Sequence, residues 1–187
     1  MMKRILIAVF GVLAAAGAVQ AQATDAQLIE RALLAAPARA REGAAVVKWN
    51  ADQTYATIKE GTGTLVCYDH SGAVGEQPFA VQCTNPGNLA RVQQNYTLEA
   101  QAAGNRETLN ALIATADANG TRVLPVYGSP WLSLTGPDQA GARLHMTIAT
   151  PGATSASTGG LPENGREGGA WIMNAGTSTA HIMVPGM

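Results

Sequence analysis

The sequence is poor in charge and poorer still in the residues that usually carry chemistry. Only 13% of its 187 residues are Asp, Glu, Lys or Arg, with 12 basic side chains against 13 acidic ones. There is no basic surplus, so a nucleic-acid surface lacks its electrostatic footing. The histidines number three, His70, His145 and His181, and the cysteines two. Neither HxH nor HExxH occurs, so any metal site must be gathered by the fold rather than by local spacing. The absence of CxxC removes thioredoxin-like exchange. GxSxG and GxxxxGK[ST] are missing too, which removes the nucleophile elbow and the phosphate-cradling loop in their usual forms. No cofactor is expected from these patterns.

Long apolar runs are scarce as well, and the one present opens the chain. Lys3 and Arg4 precede an apolar stretch from Ile5 to Val19, followed by Val19-Gln20-Ala21 and Ala21-Gln22-Ala23. A positive start, a short apolar core and small-x-small ends make a cleaved secretory signal over 1–23. The stretch falls short of the roughly 20 residues that span a bilayer. No cysteine follows it for a lipid anchor. The expectation is a bacterial protein of the periplasm or the medium, with no stable membrane insertion after cleavage. Its mature domain, 24–187, then has 10 basic against 13 acidic residues, a net charge of −3.

Both cysteines, Cys67 and Cys83, lie in strand-like segments of that domain. In an oxidising compartment such a pair closes, with two separate buried thiols as the alternative. The loop it would close is worth about 3 kcal/mol by chain entropy.

Glycine is abundant, at 21 residues. With Ser and Thr it favours strands and turns over a helical bundle. Thr24 and Gln27 form a capping box for a first helix, which Pro37 interrupts or ends early. From Ala44 the apolar period becomes two, and four successive strands with short links, "AAVVKWN", "TYATIKEG", "TGTLVCYD" and "QPFAVQC", read as an antiparallel meander. "NPGNLARVQQNYTLEAQ" is a short helix or partly extended. Asn105 caps a helix over 106–118 that Gly120 stops. A strand over 122–127 is expected at an edge because of Pro125. "RLHMTIATPG", "AWIMNAG" and "TAHIMVPG" are the last strands. The fold class is α+β: a mostly antiparallel sheet, strongly curved in one version, with two or three helices. The first helix and the 106–118 helix should cover its apolar face.

Candidate sites follow from the loops. "YGSPWLSLTGPDQAGAR" and "GGLPENGREGGAW" are rich in breakers and each holds a Trp. Rigidly held loops are where binding residues collect. Tyr127, Trp131, Arg143, Glu163, Arg166 and Trp171 form the candidate binding face, against the plainer reading that both Trp plug a small core. His145, His181 and Met183 are the candidate metal ligands, since imidazole and thioether suit copper and imidazole suits zinc. His181 and Met183 share a strand face, whereas His145 and Met146 lie in opposite phase. The leading expectation is a non-catalytic module binding a small molecule, a glycan or an envelope protein. A hydrolase of envelope or extracellular material is the alternative, and a copper or zinc protein the third.

Overall fold

A computed structural model describes residues 23–185. The signal segment expected over 1–23 therefore lies almost wholly outside the described residues. One open sheet of eight strands organises the rest. The strands are β1 (Ala45–Trp49), β2 (Tyr55–Lys59), β3 (Val66–Asp69), β4 (Phe79–Thr84), β5 (Pro130–Gly136), β6 (Arg143–Ala149), β7 (Trp171–Met173) and β8 (His181–Val184). Their spatial order is β2-β1-β3-β4-β5-β6-β8-β7. All neighbours are antiparallel except β1 and β3, which run parallel. With its helices this is an α+β fold, as the sequence indicates.

The first four strands are not a simple meander. β2 folds back to the outer edge, and the chain then returns past the start of β1 to enter β3 on the other side. The return is tight. Ala45 N–H donates to the Leu65 carbonyl and Gly63 N–H to the Gly43 carbonyl. A Cβ on Gly61 would sit 2.3 Å from the Ala45 nitrogen, so only glycine fits this crossing.

Helices cover both faces, where the sequence put the first and third on one. On one face lie α1 (Asp25–Ala32) and the 3-10 turn Leu33–Ala35. The Thr24–Gln27 capping box is present. Ala32, Ala35 and Ala36 are buried against Val46, Cys67, Val81, Cys83 and Leu132. Their small side chains let the backbone lie close to the sheet. Cys67 and Cys83 oppose each other on β3 and β4 and form the disulfide beneath this layer. Arg31 ties α1 down through Asp69 at 3.2 Å and Ser71 at 2.9 Å.

The opposite face carries α2 (Leu89–Ala102) and, beside it, α3 (Arg106–Ala118). α2 is helical throughout, so the extended alternative for "YTLEAQ" does not hold. Leu89, Val92 and Tyr96 pack on Val47, Val66 and Tyr68. α3 packs mainly on α2. Asn105 caps it by accepting from Thr108 N–H.

Two segments trade places relative to the sequence reading. Residues 121–126 form no strand. Their backbone is held by α2 side chains instead: Gln94 takes Val123 N–H and donates to the Thr121 carbonyl, and Arg91 donates to the Val123 carbonyl. "PWLSLTG", read as a breaker-rich loop, is the interior strand β5. Pro130 opens it, a position where a missing N–H does no harm to the ladder.

Candidate functional site

Strand register decides which side chains share a face. Thr84, Trp131, Thr147, Met183 and Trp171 stand opposite one another in a single row across β4, β5, β6, β8 and β7. The neighbouring row holds Ala149, His181 and Met173. On the other side come Ser133 with His145, then Thr135 with Arg143. All of these lie on the face that carries α2 and α3. Ile148, Ile172 and Ile182 fall on the opposite face, in the row next to Met146.

Over β5, β6 and β8 the helical layer does not close down onto this face. Between it and the sheet is a cleft of about 270 Å³. Its floor is Trp131, Thr147, Ala149 and His181. Leu109 and Ile113 of α3, with Leu98 of α2 and Pro125, form an apolar roof. The α3 stripe that was expected on the sheet is only half-buried, with Ala116 its one buried member. Arg91, Asn95, Glu99 and Arg122 complete the wall.

The two arginines are nearly inaccessible, Arg91 at 4% exposure and Arg122 at 8%. Among the described residues neither reaches a carboxylate within ion-pair distance. Arg122 donates to Gln94 Oε1 at 2.8 Å and to Asn95 Oδ1 at 2.6 Å, while its Nε–H is buried without an acceptor. Burial pulls the Arg91 guanidinium down to about 10, with Arg122 pushing the same way and Asp117 opposing. Burial also lowers Arg122, with Asp117 and Glu99 opposing.

Glu99 lines this cleft and the two cavities beside it. Burial pushes its carboxyl up to about 7, Glu76 adds to the shift, and Arg122 opposes it. Glu76 is raised by burial. His70 is buried and stacks on Tyr96, with ring centroids 4.0 Å apart. Its Nδ1 is 3.5 Å from Glu76 Oε1 but makes no hydrogen bond. Burial lowers His70 to about 4 against the pull of Asp69. Of these groups Glu99 is the one placed to exchange a proton near neutral pH, while His70 stays a neutral imidazole there.

The residues singled out in the sequence are dispersed. Trp131 and His181 are in the cleft. Arg143 is four residues along β6 from Thr147, about 13 Å away. Tyr127 is 65% exposed and not part of the lining. Glu163 and Arg166 are exposed in the 150–170 loop, which returns to Trp171: a Cβ on Gly165 would be 2.9 Å from the indole Nε1. The three metal candidates share the face but not one point. Ala149 is opposite His181, so His145 lies about 13 Å from it along the strands, with Met183 between them. His181 Nδ1–H donates to the Thr179 carbonyl at 2.7 Å, which leaves Nε2 with its lone pair. Among the described residues no three His, Cys, Asp or Glu side chains cluster as metal ligands.

Sequence reasoning missed Arg91, Asn95, Glu99 and Arg122. Two signals were available. Arg91, Asn95 and Leu98 repeat at helical spacing. Arg122 comes two residues after the Gly120 stop in a chain with few basic residues. Comparison with family models, with curated proteins and with solved structures returns no match.

Proposed function

We propose that this is an exported binding module of the bacterial periplasm or medium, which holds a small molecule between α3 and strands β5, β6 and β8. The observation that carries the reading is the gap itself. A helix with an apolar stripe stands over a sheet patch of Trp131, Thr147, Ala149 and His181 without closing on it. At about 270 Å³ the space lies just under the usual size of ligand sites, and it has their make-up of apolar walls with a few placed polar groups. Export draws its support from the opening segment and from the disulfide, which suits an oxidising compartment. Among the described residues no helix is long and apolar enough to cross a membrane.

A fragment library titrated against labelled protein tests the site by NMR. Shifts should gather on Trp131, Thr147, Leu109 and Ile113, and weaken in Trp131→Ala while the variant stays folded. Shifts scattered over the surface would remove the cleft as the seat. A hydrolytic role is the second reading, favoured by the Glu99 carboxyl near neutrality beside His70 and Glu76. That reading needs turnover of an envelope glycan that is lost in Glu99→Gln while binding persists.

A further inference from the structure

Buried charges in proteins are normally paired, because an isolated ion in a low-dielectric interior is expensive. Arg91 and Arg122 depart from that rule together. Both border one cleft and both are more than nine-tenths buried. Their recorded partners are neutral: the Val123 carbonyl for Arg91, and Gln94 and Asn95 for Arg122. One donor, Arg122 Nε–H, has no partner. Asp117 and Glu99 act on these arginines only from beyond ion-pair distance, so two buried guanidinium groups stand without a carboxylate in direct contact. A guanidinium takes a carboxylate in two parallel hydrogen bonds, which an ammonium cannot do.

The other lining residues define the rest of the ligand. Leu98, Leu109, Ile113, Pro125 and Ala149 give the cleft an aliphatic lining, with Trp131 beside them. We propose that the cleft takes a small monocarboxylate with an aliphatic tail, its head on Arg122 and Arg91 and its tail between α3 and Trp131. This rests on the binding reading above and adds the charge and shape of the ligand. Glu99, the acid in the wall, is no strong rival for the head group. Burial holds its carboxyl near neutrality, so it can accept a proton when an anion enters. The Thr147 and His181 side chains add polar groups to the floor.

The test compares octanoate, octanol and octylamine, which share a tail and differ in the head. Octanoate should bind at least tenfold more tightly than octanol, and octylamine weakest. The decisive variant is Asn95→Asp, which is isosteric. Asn95 Oδ1 already accepts from Arg122 at 2.6 Å, so the change supplies an internal carboxylate without changing the packing. It should raise the melting temperature and bring octanoate down to parity with octanol. Arg122→Gln should produce the same parity without the rise in melting temperature. If the three probes bind the cleft equally, the carboxylate inference is overturned and the binding reading stands. Preference for octanoate that survives Asn95→Asp also overturns it. If none of the probes shifts the cleft resonances, the binding reading falls and takes this inference with it.

Discussion

Over β1, β3 and β4 the sheet is packed from both sides, by alanine-faced α1 on one and by Leu89, Val92 and Tyr96 of α2 on the other. Over β5, β6 and β8 the same sheet meets α3 across a gap lined mostly by half-buried side chains. The two regions have one backbone architecture and different side-chain closure. The first holds the disulfide and nearly all of the buried large apolar side chains. The second holds Trp131, His181 and the wall of Arg91 and Arg122. Stability is concentrated in the closed half, which leaves the open half free to keep space and unpaired charge. Sites of function are drawn from such less-closed regions.

The largest effect that would sharpen this contrast is removal of the staple. Replacing both Cys67 and Cys83 by Ala opens a crosslink of sequence separation 16. The loss should be about 3 kcal/mol. Denaturant unfolding under oxidising conditions measures it. Unchanged stability would mean that the closed half does not anchor the fold.

Asn88 joins the two halves and comes next. It is fully buried and donates to Thr84 Oγ1 at 2.7 Å and Ser129 Oγ at 2.9 Å. Its own oxygen accepts Val126 N–H at 2.7 Å. Asn88→Ala leaves those groups without partners and should cost about 2 kcal/mol. Hydrogen exchange should quicken first in 121–129, ahead of β3 and β4. Uniform loosening would break the distinction between the halves.

The closed half was the more legible in the sequence, for a physical reason. Period-two alternation around Val46, Cys67 and Val81 reports a sheet whose core side chains are apolar, and the Cys spacing reports the staple. The capping box at Thr24 and the Asn105 cap are local, so they too were readable. What failed was non-local. β2 moves to the edge because of a crossing at Gly61, and nothing in the strand pattern states which neighbour β3 chooses. Residues 122–127 look extended, yet Gln94 and Arg91 on α2 capture their backbone groups first. Trp131 was picked out for the wrong setting, a loop, and proves to be a strand residue facing the cleft. Arg91 and Arg122 lie 31 residues apart in the sequence, and only the fold brings them to one cleft.

A smaller effect probes the gap directly. Ile113→Trp adds volume where α3 stands away from Trp131. In a closed core such an insertion costs about 1–3 kcal/mol by overpacking. Here the expected change in stability is within about 0.5 kcal/mol, as at an uncrowded position. The control is Val92→Phe in the closed half, where the same kind of enlargement should destabilise measurably. Equal losses at both positions would show that the cleft is not free space.

The smallest net effect is on pH, because two large shifts oppose each other. Free His titrates at 6.5, and folded His70 at about 4. Between those values the unfolded chain binds a proton that the folded one refuses, so this group makes stability rise with pH. Free Glu titrates at 4.5, and folded Glu99 at about 7. Between those values the folded chain keeps a proton that the unfolded one releases, so this group makes stability fall as pH rises. Glu76, also raised by burial, adds to the falling trend. From 4.5 to 6.5 the slopes act against each other, and the urea midpoint of the native protein should be nearly flat. Glu99→Gln should leave a midpoint that climbs across this window, and His70→Phe, which keeps a ring on Tyr96, one that declines. If both variants follow the native curve, His70 and Glu99 do not carry the opposed shifts that burial assigns to them.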